Sequence, residues 1–183
     1  MISLIACISS DSGLGNGNAL LFNIKRDLKR FRELTEGQIV VMGMRTFESI
    51  IEMNGKPLPG RTNVVLTRNK EYRPKYGEFV FHDVESILKH CKTMNNEVDK
   101  KVYICGGGQV YSSFLVHADE ILLTIVNKHV EATAFYPMET QIDLGFYPIK
   151  ESEDFYSEKY DAYYKFVRYI KNTSIESRGV KVE

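Results

Sequence analysis

Asp27 is the residue of this 183-residue chain whose surroundings most invite chemistry. In the run 24–34, Ile24, Asp27, Leu28, Phe31 and Leu34 recur at spacings of three and four, so a helix would gather them on one face with the carboxylate turned inward. A charge among Leu28, Phe31 and Phe22 needs a partner, because an isolated buried carboxylate takes up a proton instead. Lys25, Arg26, Lys29, Arg30 and Arg32 mostly fall on the other faces, which leaves no obvious cation for Asp27 within its own helix. Two readings stay open: an internal cap or ion pair, or an acid that a ligand satisfies.

Other stretches have the composition of anion sites. Residues 40–46, Val-Val-Met-Gly-Met-Arg-Thr, read as a buried strand ending at a glycine, with a helix opening on a cation and a hydroxyl. Residues 103–111 place three glycines between an apolar run and another helix, which lets backbone approach a ligand closely. Neither matches the dinucleotide pattern G-x-G-x-x-G or the P-loop with its Lys. Two such junctions at strand carboxyl ends nevertheless suggest a ligand with several phosphates. Arg61, after the turn 56–60, and Arg68, after the strand-like run 63–67, are each either a solvated loop cation or a fork for carboxylate or phosphate.

The elements that must position these residues follow from periodicity. Continuous apolar, β-branched runs at 2–8, 38–42, 63–67, 78–81, 101–105 and 120–126 read as strands buried on both faces. Helical patterns at 24–34, 45–52, 84–94 and 109–115 alternate with them, which implies right-handed βαβ crossovers. Residues 146–149 and 162–170 are strand-like with no helix between them and extend the sheet antiparallel. The aromatics at 162–169 fit a sheet strand better than a base-stacking platform. The expected fold is α/β and three-layered: a central, mainly parallel, twisted sheet of about eight strands with an antiparallel C-terminal edge and helices on both faces. Ahead of Asp27, the glycines at 13, 15 and 17 permit φ > 0 and read as a mobile loop. Its apolar residues Leu20, Leu21 and Phe22 would cover a ligand, and Asn23 would cap the helix that follows.

Size and charge narrow the partners. A chain this long buries roughly 70% of its unfolded surface as one domain, expected over 1–171, with a polar, frayed tail at 172–183. Lys plus Arg and Asp plus Glu are both 24, so no net field argues for nucleic acid or membrane, and a small partner is expected. Cys7, Cys91 and Cys105 match no zinc spacing, and no metal is expected. Free thiols, a start without a basic leader and no apolar run of about 20 residues point to a cytoplasmic protein.

Taken together, the motifs resemble those of the dihydrofolate reductase family over essentially the whole chain to Lys171. They are Ile-Ser-Leu-Ile-Ala at 2–6, Gly-Asn-Gly-Asn-Ala-Leu at 15–20, Asp27, Met-Gly-x-x-Thr-Phe-x-Ser-Ile at 42–50, Pro-Leu-Pro-Gly-Arg at 57–61 and Gly-Gly-Gly-Gln-Val-Tyr at 106–111. All stand in the family's order and approximate spacing. The resemblance implies NADPH-dependent reduction of dihydrofolate to tetrahydrofolate, serving one-carbon and thymidylate metabolism. It also implies antifolate-like small molecules as further ligands and a monomer.

By the same resemblance, Asp27 bonds the 2-amino group and ring nitrogen of the pterin and favours the protonated form of the reacting imine. Leu20 and Phe22 complete the catalytic set. Ile5, Cys7, Leu28, Phe31, Ile50, Leu58, Cys105 and Tyr111 surround the substrate, Thr124 bonds behind Asp27, and Arg61 pairs with the glutamate carboxylate. For the cofactor, Arg45 and Thr46 lie at the pyrophosphate beside Gly43 and Met44. Gly106, Gly107, Gly108, Gln109 and Val110 line the same phosphates, with a cis bond expected between Gly106 and Gly107. Arg68, with Leu66 and Thr67, holds the adenosine 2′-phosphate. Ala6, Cys7, Cys105 and Tyr111 lie near the nicotinamide, and Leu14, Gly15, Asn18, Ala19 and Leu20 belong to a loop that closes over it.

Several positions depart from the family pattern. Phe22 replaces the usual Trp and removes an indole N–H, and Leu21 replaces a Pro, which loosens the loop. Met44 and Gln109 stand where bases are frequent, which leaves fewer charges for the 2′-phosphate. Thr133 stands where bacterial relatives often place an acid that bonds the closed loop, so weaker closure is expected. Residues 51–55 are slightly longer than the compact bacterial version. A pyrimidine reductase of riboflavin synthesis shares the fold and remains an alternative, though Asp27, Phe31 and Arg61 favour the pterin and its tail. A non-catalytic binding module would show decay of the acid or glycine motifs, and both are intact.

Overall fold

Alternation along the first strand sorts its side chains into two cores. In β1 (Ile2–Ser9), Leu4, Ala6 and Ile8 point into one apolar cluster and Ile5 into another, as the two-residue period of a strand requires. The computed structural model describes residues 1–172, and the tail expected at 172–183 lies outside the described residues from position 173 on. Within them, Asn172 is tied to the fold by its N–H, which donates to Gly145 O at 3.1 Å.

In chain order the elements are β2 (Gly13–Asn16), β3 (Ala19–Leu20), α1 (Lys25–Thr35), β4 (Ile39–Gly43), α2 (Met44–Asn54), β5 (Thr62–Leu66) and β6 (Phe79–Phe81). There follow α3 (Val84–Val98), β7 (Val102–Ile104), α4 (Gly108–Phe114), a 3-10 turn (Leu115–His117), β8 (Glu120–Val126) and β9 (Ala134–Phe135). The chain then forms α5 (Met138–Asp143), β10 (Phe146–Glu151), β11 (Phe155–Ser157) and β12 (Ala162–Lys171).

The main sheet runs β10-β12-β8-β1-β7-β4-β5-β6, with β11 paired to β12. Every pairing from β8 through β1, β7, β4 and β5 to β6 is parallel, while β12 is antiparallel to β8, β10 and β11. The expected sheet and antiparallel edge are therefore present. Ile87 and Cys91 of α3 and Val110 and Phe114 of α4 join Leu4, Val41 and Leu123 on one face. Phe31 of α1 and Phe47 and Ile50 of α2 join Ile5, Val40 and Met42 on the other. The short α5 and β11 carry too few periodic residues to register in the sequence.

The stretch ahead of Asp27 differs from the expected loop. β2 and β3 form a hairpin that pairs with β9 in a second, three-stranded sheet. Gly17 alone of its three glycines takes positive φ, at 60°. Gly13 and Gly15 are needed for space, since a Cβ would fall 2.7 Å from Ser9 Oγ and 2.8 Å from Ala19 O respectively. Nor does Asn23 cap α1: Ile24 occupies the N-cap position, no side chain bonds there, and the Asn23 N–H donates to Tyr160 Oη instead.

Leu123, fully buried on the central strand β8, is packed in the larger core. Leu123→Ala should cost about 3 kcal/mol through lost transfer energy and the cavity left behind, measured as a lower urea midpoint with an unchanged slope.

Candidate active site

The carboxylate of Asp27 meets the sheet at Thr124. Thr124 lies on β8 between Cys7 of β1 and Phe166 of β12 in register, and its side chain is fully buried. Its hydroxyl donates to Asp27 Oδ1 at 2.5 Å, so the first turn of α1 is fixed to the middle of the sheet. Asp27 Oδ2 makes no hydrogen bond and the carboxylate no ion pair among the described residues. Burial pushes the Asp27 pKa up, while the Thr124 hydrogen bond and the charge of Arg30 hold it down. Arg30 corrects the expectation that α1 supplies no cation: three residues on from Asp27, it shares the same side of the helix. Its guanidinium lies over the Phe166 ring, 4.6 Å from the centroid.

The neighbouring thiols are poor nucleophiles. Burial pushes the Cys7 pKa well above its ordinary value, with the Asp27 charge adding to it, and burial also raises that of Cys105. A neutral thiol neither attacks nor binds metal strongly. Ile5, Phe31, Ile50, Leu58 and Cys105 belong to one apolar cluster, while Leu28 stays 39% exposed beside it. Tyr111 is buried behind this wall and donates its hydroxyl to Ile5 O at 2.7 Å. Arg61 reaches the same region from the turn before β5. Its Nε bonds Thr35 Oγ1 at 3.2 Å and its terminal nitrogens bond Pro59 O and Arg32 O at 2.5 and 3.0 Å.

Across the sheet, β4 ends at Gly43 and β7 is followed by Cys105. The Gly43 N–H donates to Gly106 O at 2.8 Å, across the cis bond between Gly106 and Gly107. Val110 sits so close to Gly43 that a Cβ there would meet its Cγ2 at 3.0 Å. The two glycine junctions therefore lie side by side. α2 starts at Met44 after the N-cap Gly43 with no side-chain cap, so among the described residues its first N–H groups are left for an acceptor beside Arg45 and Thr46, and Thr46 Oγ1 lies near Gly107. Arg68 bonds Gln109 Oε1 at 3.0 Å, which aims the guanidinium along the same edge. Thr67 Oγ1 is taken up within the fold by the Asn69 N–H, and Leu66 packs into the larger core with Leu14, Ala6 and Val110. Unpaired N–H groups, two arginines and a hydroxyl fit a dinucleotide bearing a pyrophosphate and one further phosphate.

The β2–β3 hairpin borders both regions. Asn18, Ala19 and Leu20 are exposed, Leu20 by 57%, whereas Phe22 is buried in an apolar cluster and meets the Tyr160 ring edge-on at 5.2 Å. Phe22 therefore anchors the exit of the loop in the protein's own core, where a covering role over a ligand was expected. Thr133 contacts the hairpin at two points. It accepts from the Gly17 N–H at 2.9 Å through Oγ1 and donates its own N–H to Gly15 O at 2.9 Å, so it holds the hairpin without an acid. Arg30 had a usable signal in its spacing from Asp27. Tyr160, 137 residues from the Asn23 it holds, had none.

No described helix is long and apolar enough to cross a membrane. The dihydrofolate reductase family profile matches residues 1–171. The chain is 38% identical over 137 residues to a dihydrofolate reductase type A13 from Escherichia coli, covering 75% of this chain and 78% of that one. It is 28% identical over 182 residues to the dihydrofolate reductase of Bacillus subtilis, covering 98% and 99%. A solved dihydrofolate reductase from Enterococcus faecalis, complexed with NADP(H) and RAB-propyl, superposes with a TM-score of 0.80 at 28% identity over 94% of this chain and 96% of that one. With the acid, the paired glycine junctions and these relatives all in agreement, the chain belongs to the dihydrofolate reductase family.

Proposed function

We propose that this chain reduces 7,8-dihydrofolate to 5,6,7,8-tetrahydrofolate with NADPH, a hydride passing to the pterin C6 and a proton to N5, and so serves one-carbon and thymidylate metabolism as a cytoplasmic monomer. The observation that carries the reading is the half-buried Asp27 carboxylate, fixed at Oδ1 by Thr124 and with Oδ2 unbonded. Such a group matches the paired N–H donors of a 2-aminopyrimidine, which would satisfy the charge that the protein leaves spare. Antifolate-like molecules carrying the same donor pair would compete there.

Each remaining residue has a role consistent with its place. Ile5, Leu28, Phe31, Ile50 and Leu58 take the pterin and benzoyl rings, and the Arg61 fork takes the tail carboxylate. Negative charge at Asp27 favours a protonated pterin, which readies the ring to accept hydride. Arg45, Thr46 and the first N–H groups of α2 hold the pyrophosphate beside Gly106, Gly107 and Gly108. Arg68, oriented by Gln109, holds the 2′-phosphate. Bound NADPH supplies the hydride. The hairpin carrying Leu20, held by Thr133 at its tip and by Tyr160 at its exit, would close over the nicotinamide and exclude water. Phe22 contributes packing and no hydrogen bond, so the ordered water of the Trp-bearing relatives has no indole donor here.

Two substitutions test this reading. Asp27→Asn should lower turnover of dihydrofolate at neutral pH by about a hundredfold or more while NADPH binding is retained; an unchanged rate would remove Asp27 from the reaction. The same variant has a stability signature. Because burial raises the folded-state pKa of Asp27, the stability associated with its protonated form is present below the unfolded pKa and is lost as pH rises through the folded one. Ligand-free Asp27→Asn should therefore resist urea better than the parent at pH 7, an advantage that disappears in acid. Arg68→Ala should weaken NADPH by about tenfold or more and NADH far less, by fluorescence titration; equal losses would place the 2′-phosphate elsewhere.

A further inference from the structure

The Arg61 fork already holds a carboxylate of the protein's own. A guanidinium has five N–H groups. Arg61 commits Nε to Thr35 Oγ1, one Nη1 proton to Pro59 O and one Nη2 proton to Arg32 O. Its Nη1 lies 3.0 Å from Glu36 Oε2, an ion pair made without a hydrogen bond. That leaves one proton on each terminal nitrogen for a bidentate grip on an incoming carboxylate, with the Glu36 carboxylate already standing beside Nη1. The two side chains differ sharply in freedom: that of Arg61 is 4% exposed and that of Glu36 58%. When a second carboxylate arrives, Glu36 is the group that can move.

Local backbone explains why Glu36 stands there. It is the C-cap of α1, its N–H donating to Arg32 O at 3.0 Å, and Gly37 turns the chain with φ 74°. The Gly37 N–H donates to Gly60 O at 2.8 Å, which fastens this corner to the turn that carries Arg61. Gly60 has positive φ, and a Cβ on it would fall on the Glu36 carboxylate, so the turn leaves room for that side chain. A negative charge at a helix C-terminus is otherwise unfavourable. Arg61 offsets it.

We propose that Glu36 is a tethered competitor for the tail carboxylate of the substrate. With the site empty it neutralises Arg61, and a pterin carrying a glutamate tail binds by exchanging its own carboxylate for that of Glu36. A pterin without the tail pays no such exchange. Glu36 is thus a specificity-determining residue that narrows the preference for glutamate-bearing substrates, and the inference rests on the reading of Arg61 as the partner of the tail.

Steady-state kinetics at saturating NADPH, with 7,8-dihydrofolate and with 7,8-dihydropteroate, which lacks the glutamate, tests it in the parent, Glu36→Gln and Arg61→Met. Glu36→Gln should lower the KM for dihydrofolate by about threefold to fivefold, the scale of one exposed ion pair, and leave that for dihydropteroate in place. The ratio of the two KM values is the readout, because a merely structural change would move both. Arg61→Met should erase the preference for the tail. Loss of preference in Arg61→Met with an unchanged ratio in Glu36→Gln would overturn the role of Glu36 and leave Arg61 standing. An unchanged ratio in Arg61→Met would overturn the Arg61 reading itself, and the competitor with it.

Discussion

One half-buried carboxylate sets the terms for the rest of this molecule. Asp27 is drawn into the structure by the apolar face of α1, and desolvation alone would drive it toward the neutral acid. The Thr124 hydroxyl answers half of that demand from the interior of the sheet, where β8 is flanked by β1 and β12. Every nearby feature has to respect the remaining half. Arg30 supplies a distant counter-charge from the same helix, kept over the Phe166 ring and short of ion-pair distance. Burial disfavours the ionised forms of Cys7 and Tyr111, and the Asp27 charge adds to it in both. The surroundings therefore hold one anion at the centre of the site and suppress others.

Hydroxyl and carbonyl oxygens hold several groups around the site. The Gly17 N–H rests on Thr133 Oγ1 and the Asn23 N–H on Tyr160 Oη, so the hairpin ahead of Asp27 is gripped at both ends by hydroxyls. Arg61 is clamped mainly by carbonyl oxygens, which orient a guanidinium without neutralising it. Glu36 then supplies the neutralising charge from an exposed and adjustable position. Fixed orientation and adjustable charge compensation are separated between two kinds of partner, which suits a site that must exchange one carboxylate for another.

Periodicity and glycine placement made the framework legible in the sequence. Continuous apolar runs mark strands buried on both faces, and the helices between them recur at 3.6 residues, so the parallel sheet and its antiparallel edge follow from local pattern alone. Boundaries shifted by a residue or two, as at α1, where a buried Ile24 precedes the helix and Asn23 is bonded elsewhere. The small sheet of β2, β3 and β9 left no such trace, because its strands are two to four residues long and pair across more than a hundred positions. The glycines at 13 and 15 show the same limit. Their need for room, unlike the positive φ of Gly17, depends on Ser9, Ala132 and Ala19, which only the folded chain brings to them.

The site divides in the same way. By itself the sequence determined that an acid stands on an apolar helical face, that glycines end two strands of one sheet, and that one arginine follows a turn and another a strand, since each of these depends on neighbours within a few residues. Only the tertiary structure decided which oxygen of Asp27 is satisfied, that the Thr133 hydroxyl receives the Gly17 N–H, and that Arg61 already has a carboxylate beside it. Those outcomes depend on distances between separate elements: Thr124 is 97 residues from Asp27 and Thr133 is 116 from Gly17. A local pattern carries the type of a residue and the face it presents, but the partner that completes its hydrogen bonds exists only once the sheet has brought distant strands together.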